Sequence, residues 1–414
     1  MKGYRPCLPC RIALRTTALL AAFSAAGSAE SVALKDAYQG DFLVGVAVNR
    51  TIPTGTAVKA DNTDRSLDQV KKDTEVVIGQ FNQLAPENDL KWALIHPREG
   101  KDGYDFAPAD AFVEFGVKNN MYLIGHTLVW HGQTPAWVFA GTHTSPAPPA
   151  PANAPAGNGP PRRRGFDPTQ PHASREELLE RMREHIHTVV GRYKGKIKVW
   201  DVVNEAISDG GPEVLRYTAW SQIIGPDFIA KAFEYAHEAD PEAILRYNDY
   251  GLENPEKRKK LVSLIKSLQE LKVPVMAIGT QTHVSASSPS FEEMDRTLTE
   301  LAALGLPVHV TELDVNSAQR GQRDTGADIA QNAAATQGSL IAAADQRAAE
   351  QWANLFRAFL KQKESVKMVT LWGVNDAVSW RANGKPLLFD GDNKPKPAFH
   401  AVIRVAEEAK AKAK

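Results

Sequence analysis

Cysteine is almost absent from this chain. Its 414 residues hold two, Cys7 and Cys10, and both fall in a stretch that reads as a removable leader. Neither a disulfide framework nor a cysteine-based zinc or redox centre is therefore expected in the mature protein. Excess charge is also absent. Lys and Arg number 49 and Asp and Glu number 49, for a formal net charge of zero. That balance argues against nucleic acid or an anionic membrane as the main partner. No apolar run reaches the roughly 18–20 residues needed to span a bilayer. No Gly-x-Gly-x-x-Gly follows the first strand-like run, which removes the main support for a dinucleotide-binding sheet.

What is present begins with a positive segment, Lys2, Arg5, Arg11 and Arg15, followed by a short apolar core at 18–26 and the small residues Gly27-Ser28-Ala29. This is the pattern of a secretory signal over residues 1–29, cleaved after Ala29. The expectation is an exported protein, periplasmic or extracellular, with one folded domain over 30–414, no membrane association after cleavage, and a monomeric state. The 43% hydrophobic content is ample for a large core.

Past the leader, apolar runs of strand length alternate with segments of helical period. The strand-like runs are 42–48, 81–85, 122–126, 199–204, 244–248, 275–281, 308–312 and 368–372. The helical segments are 66–78, 108–118, 175–190, 228–238, 256–271, 291–304, 347–363 and 398–409. Ser174 with Glu177 forms a capping-box pattern at the head of the third helix. Eight strands alternating with eight helices predict an α/β fold, and the count favours a closed (β/α)₈ TIM barrel as a single domain. One stretch breaks the rhythm. Residues 141–171 carry 9 of the 26 prolines and read as a disordered, low-complexity insertion in that domain.

In such a barrel the chemistry sits at the C-terminal ends of the strands. Those ends are rich in polar and aromatic groups: Glu87-Asn88 and Lys91; His126, Trp130-His131 and Gln133; Asn204-Glu205; Asn248-Asp249-Tyr250; Gln281 and His283; Glu312 and Asp314; Trp372 and Trp380. Core packing needs none of them. Carboxylates and amides pair with hydroxyl groups, indole faces suit the C–H faces of sugar rings, and two carboxyls across a glycosidic bond can supply acid and nucleophile. A metal set of His126, His131 and His283 lacks helical His-x-x-x-His spacing and cysteine partners, so no metal is expected.

Seven stretches in order, FNQLAPENDLKW, GHTLVWHGQTPAW, RYKGKIKVWDVVNEAI, YNDYGLEN, GTQTHV, VHVTELDV and VTLWGVNDAVSWR, closely resemble the endo-1,4-β-xylanases of glycoside hydrolase family 10, from about residue 34 to about 404. The resemblance implies retaining hydrolysis of xylan and xylo-oligosaccharides, without a cofactor. Glu205 matches the general acid/base and Glu312 the nucleophile, with His283 and Asp314 orienting and tuning the latter. Glu87, Asn88 and Lys91, joined by Gln133, match contacts to the second sugar on the non-reducing side. His126, Trp130, Asn204, Gln281, Trp372 and Trp380 match the shell of the reactive sugar, with Asn204 on its 2-hydroxyl, and Tyr250 matches an aglycone stacking residue. Asp249 and His131 are expected behind these contacts. Trp92, Trp137, Trp200, Trp220 and Trp352 are expected to pack. Two features depart from the family pattern: Gly251, where Asn is common after the Asp-Tyr pair, and the proline-rich insertion. Another β-1,4-glycanase, or a non-catalytic carbohydrate-binding barrel, is the alternative reading.

Overall fold

A computed structural model describes Met1 and residues 32–60, 63–145, 166–317 and 333–412. The expected leader, apart from Met1, lies outside the described residues. From Ala33 onward the chain packs as one unit. Eight strands form the barrel: β1 Leu43–Val48, β2 Gln83–Pro86, β3 Tyr122–Trp130, β4 Ile197–Asn204, β5 Ile244–Asp249, β6 Ala277–Thr280, β7 Val308–Asn316 and β8 Val366–Leu371. Each pairs in parallel with the next, and β8 returns to β1. Closure leaves these eight strands without a free edge among them.

A helix follows every strand: α1 Leu67–Gln80, α2 Ala107–Lys118, α3 Arg175–Arg192, α4 Phe228–Ala239, α5 Pro255–Glu270, α6 Phe291–Ala302, α7 Ala333–Lys361 and α8 Pro397–Lys412. Ser66 with Gln69, Ser174 with Glu177 and Ser290 with Glu293 close capping boxes that fix three helix starts. The helices bury their apolar stripes on the outside of the barrel, where Trp92, Trp200, Trp220 and Trp352 are all buried. Trp137 is half-buried and meets Trp92 edge-on, so it packs as expected.

Three boundaries differ from the sequence expectation by more than two or three residues. Helix α7 begins at Ala333, not near 347. The added turns, AAATQGSLIAAADQ, have no apolar period but are rich in alanine, whose helix propensity is the highest of all residues. Strands β3 and β7 run on past 126 and 312 to Trp130 and Asn316. His126 and Glu312 thus sit inside strands, next to register shifts between His126 and Val129 and between Val310 and Leu313. Such irregularities re-aim side chains beside active sites.

The edges of the 141–171 insertion are ordered. His143 and His172 exchange backbone hydrogen bonds of 2.9 and 2.8 Å, and the Ser145 amide donates to the Pro168 carbonyl at 2.9 Å. The chain therefore leaves and rejoins the barrel side by side; residues 146–165, including Arg162–Arg164, lie outside the described residues.

Candidate active site

The C-terminal rim of the barrel encloses a cavity of about 490 Å³. It is lined by every residue expected from the sequence except Asp314, which lies one layer deeper, and Gln133. Gln133 is exposed nearby and donates to Asn88 Oδ1 at 3.4 Å. Gly251 and Arg381 complete the lining.

Glu205 leaves β4 with φ 58°, the left-handed region that a non-glycine residue enters only when its surroundings hold it there. They do so at several points. Its amide donates to the Asn248 carbonyl at 2.9 Å and its carbonyl accepts from Arg216 Nε at 3.1 Å. The amides of Ala206 and Ile207 both donate to Tyr247 Oη. The turn aims the carboxyl into the cavity. There Trp130 Nε1 donates to Oε2 and Gln281 Nε2 to Oε1, each at 2.9 Å.

Glu312, 5% exposed, meets a different environment. Asn248 Nδ2 donates to its Oε1 at 2.8 Å, and His283 Nε2 lies 3.2 Å from its Oε2. The other ring nitrogen of His283 lies 2.8 Å from Asp314 Oδ2. Asp314 is fully buried and also accepts from Trp380 Nε1 at 2.9 Å and Arg381 Nη1 at 3.0 Å. Burial pushes the His283 pKa down, but the hydrogen bonds and charges of Asp314 and Glu312 outweigh it and raise it to about 9. Near neutrality His283 is an imidazolium donating in both directions. Burial likewise raises the pKa of Glu312, yet its net value falls below the ordinary one because of the His283 hydrogen bond and nearby positive charge, Lys91 included. Glu312 is thus an ionised carboxylate facing the cavity.

A folded-state pKa above the unfolded value of about 6.5 means that the proton on His283 stabilises the fold. The contribution is complete below pH ~6.5 and disappears as pH rises through about 9. Wild-type protein should therefore lose stability over that window relative to His283→Gln, by on the order of 3 kcal/mol. Thermal melts of both proteins from pH 6 to 10 measure it, and parallel curves would refute the imidazolium assignment.

The other end of the cavity holds Glu87, Asn88 and Lys91. Lys91 Nζ donates to Asn88 Oδ1 at 3.0 Å and lies 5.1 Å from the Trp130 ring centroid. Burial lowers its pKa, against the opposing pull of Glu312, Glu87 and Glu205. Burial raises Glu87 to about 7, with Lys91 opposing, so near neutrality it can donate as well as accept.

Asn204 and His126 are fixed from behind. Asn204 Oδ1 accepts from Asn248 Nδ2 at 2.9 Å and Gln281 Nε2 at 3.4 Å, which directs its own amide nitrogen toward a ligand. Thr311 Oγ1 donates to Asn248 Oδ1 at 2.7 Å. Gly279 is required beneath this group, since a Cβ there would lie 2.4 Å from Asn248 Oδ1. His126 Nδ1 sits 3.0 Å from Asp201 Oδ2, and Arg246 grips both Asp201 oxygens at 2.6 and 2.9 Å. Burial raises the Asp201 pKa, but Arg246 and His126 carry it down to about 2. Trp372 meets His126 edge-on at 5.2 Å, and Trp380, 62% exposed, overhangs His283 at 5.0 Å.

Tyr250 forms the wall beyond Glu205. Lys257 Nζ lies 3.3 Å from its ring centroid, so one face is covered. Its hydroxyl donates to Asp209 at 2.6 Å and accepts from Arg216 Nη2 at 2.8 Å. Gly251 follows with φ 64° and lines the cavity beside it. Asp249 is buried, holds Tyr247 and Lys257, and is not part of the lining, as expected. His131 is exposed and meets the Trp130 ring edge-on.

Sequence reasoning did not assign Asn248, Arg381, Arg216 or the Asp201–Arg246 pair to the site. Asn248 carried a signal, its place at the end of β5, and Arg381 carried another, its place next to Trp380. Arg216 lies in an irregular connection with no pattern to mark it. Among the described residues, no group of three or more His, Cys, Asp or Glu is arranged to hold a metal ion.

A family model described as glycosyl hydrolase family 10 matches residues 33–405. An endo-1,4-beta-xylanase of Geobacillus stearothermophilus is 36% identical over 384 residues, covering 90% of this chain and 98% of that protein. A beta-1,4-xylanase of Dictyoglomus thermophilum is 36% identical, covering 91% of each. The crystal structure of xylanase 10B from Thermotoga maritima superposes with a TM-score of 0.72 at 34% identity, covering 92% of this chain and 100% of that one. An intracellular xylanase of Thermoanaerobacterium saccharolyticum, in a mutant complexed with xylotetraose, superposes with a TM-score of 0.69 at 35% identity, covering 89% of this chain and 97% of that one.

Proposed function

The chain belongs to glycosyl hydrolase family 10, and from that membership and its site we propose that it is an endo-1,4-β-xylanase that cuts internal bonds of xylan with retention, by double displacement. The observation that carries the mechanism is the contrast between the two carboxyls. Glu312 receives two donors, one of them the His283 imidazolium, which keeps it ionised and aimed. Glu205 sits on an amide and an indole with no ion pair among the described residues.

In the first step Glu312 attacks the anomeric carbon while Glu205 gives its proton to the departing glycosidic oxygen, leaving a glycosyl ester on Glu312. In the second step Glu205, now a carboxylate, takes a proton from a water that attacks the same carbon. Glu312 leaves and the configuration is restored. As the ester forms, the carboxylate loses charge and His283 loses its partner on that side. Asp314 still neutralises the imidazolium, which eases the return of Glu312 as leaving group. Asn204 is placed to bond the 2-hydroxyl, an interaction that strengthens in the transition state. Glu87, Asn88 and Lys91 bind the next sugar toward the non-reducing end, and the open face of Tyr250 receives the leaving chain.

A cellulosic substrate differs from xylan by a hydroxymethyl group on each ring, which has to fit near Glu87, Lys91 and Trp380. Initial rates on xylan and carboxymethylcellulose should differ by at least about tenfold in favour of xylan; equal rates or the reverse order would point to a different glycanase. Export is the companion proposal, supported by the charged, apolar and small-residue order of residues 1–29 and by a family match that starts at residue 33. Amino-terminal sequencing of the exported protein should begin at Glu30, and retention of the whole leader in the cytoplasm would contradict it.

A further inference from the structure

Behind the end of the cleft that holds Lys91 lies a group of rings that no step of the double displacement uses. Lys91 leads into a short helical turn, Trp92–Ile95. The Ala93 amide donates to the Gln133 carbonyl at 2.8 Å, so this turn ties the loop of Glu87, Asn88 and Lys91 to the loop that follows Trp130. The turn is backed by flat side chains. His185, on α3, lies parallel to Trp92, with centroids 3.7 Å apart and planes within 4°. His96 is parallel to His185 at 5.9 Å, and Tyr104 stacks on His96 at 3.6 Å. Trp137, from the turn Ala136–Phe139, meets Trp92 and His96 edge-on at 6.4 and 4.8 Å.

These surroundings suit uncharged rings. His185 is 1% exposed. Both of its ring nitrogens, His96 Nδ1 and the indole nitrogens of Trp92 and Trp137 are buried with no hydrogen-bond partner among the described residues. His96 spends its other nitrogen on the Gly100 carbonyl at 3.0 Å. A proton added to either imidazole brings a full charge and a further N–H to a place with no acceptor for it. Burial accordingly lowers the pKa of both, and the neighbouring His96 lowers that of His185 further. The charged groups on the surrounding elements do not offset this at His185. Glu184, on α3, acts on His96 and Tyr104, and the Gly100 carbonyl also favours a proton on His96. Arg181, on α3, is spent on the carbonyls of Trp137, Val138 and Ala140 and on Glu99. Attraction of an imidazolium to the Trp92 face is small against the cost of burying an unpaired charge.

We propose that His185 is a positioning residue whose uncharged ring holds the Lys91 and Gln133 loops in place, and that its protonation in acid releases these loops and weakens binding of the second sugar. The role given to Glu87, Asn88 and Lys91 rests on the xylanase reading above. The direction follows from linkage. Outside the stack the ring has a pKa of about 6.5, so it takes its proton more readily once the loops open. Each pH unit below that value favours opening by up to about tenfold, until the folded-state value is passed.

The test compares wild type with His185→Phe, which keeps a flat ring but cannot be protonated. An aryl β-xylobioside reaches the second-sugar contacts and an aryl β-xyloside does not. Near pH 7.5 the two proteins should share one KM on each substrate. By about pH 4.5 the wild-type KM on the xylobioside should exceed that of the variant by roughly three- to tenfold, with no difference on the xyloside. Glu87, with its pKa of about 7, titrates in both proteins and cancels in the comparison. Amide exchange of residues 92–106 and 133–140 should quicken in acid in wild type alone. Equal exchange and equal KM in acid would overturn the proposal, and so would an equal rise on the xyloside, because the effect would then not lie at the second sugar. Should His185→Phe not fold, exchange in wild type decides: residues 92–106 must gain on β5 as pH falls below about 6.5, and no gain overturns the proposal. Failure of wild type to cleave the xylobioside near pH 7.5 would instead overturn the xylanase reading.

Discussion

Replacing Glu312 by alanine should abolish turnover on xylan, lowering kcat by roughly 10⁴–10⁶-fold, the range seen when a covalent nucleophile is removed. The size follows from the geometry. Asn248 and His283 aim one carboxylate at one carbon, and no other carboxylate lining the cavity has a histidine partner among the described residues. Glu205 accepts from Trp130 at the end of β3 and from Gln281 just past β6, while Glu87 lies at the other end beside Lys91, with a pKa raised to about 7 by burial. The loss should leave the fold in place, because His283 keeps its bond to Asp314. A kcat measurement paired with a melting curve separates the two effects. A folded variant with substantial residual activity would remove Glu312 from the nucleophile's role.

Glu205→Ala should behave differently, and the difference identifies its role. On xylan the leaving oxygen needs a proton, so kcat should fall roughly 10²–10⁴-fold. On an aryl xylobioside with an acidic phenol as leaving group, no proton is needed in the first step. Glu312 still attacks, and only the second step, which needs a base, slows. Pre-steady-state traces should then show a burst of about one equivalent of phenol followed by slow turnover, the mark of an accumulating covalent intermediate. Equal losses on both substrates without a burst would mean that Glu205 is not the acid/base. Because Glu205 occupies a left-handed conformation secured by Asn248, Arg216 and Tyr247, the backbone around it should hold when its carboxyl is removed.

The barrel was legible because β-branched runs such as KVWDVV alternate with helical periods, and closure of eight strands brings their polar ends together whatever the loops do. Glu205, Asn204 and Tyr250 stand where reading outward along a strand places them. Glu312 was found for a partly different reason. The strand expected to end at it continues to Asn316, and its register with β8 shifts between Val310 and Leu313, on either side of the carboxylate. The period-two pattern of a buried strand carries no trace of such a shift. The supports were hardest to read. Asn248 touches both Asn204 and Glu312, and Arg246 clamps Asp201 behind His126, but the sequence does not say which partner either one meets. Their roles depend on which strands become neighbours. The ordered edges of the 141–171 insertion were hidden in the same way, since the His143–His172 pairing is made by backbone groups that composition does not report.

In the proposed reaction one carboxylate attacks and the other protonates across the same bond, with an ester between the two steps. The most direct measurement is the configuration of the first-formed product, followed by ¹H NMR at early times after adding enzyme to xylo-oligosaccharide, before mutarotation mixes the anomers. Double displacement through Glu312 predicts that the β-anomer appears first. Early appearance of the α-anomer would mean inversion by directly attacking water, and would rule out an ester on Glu312.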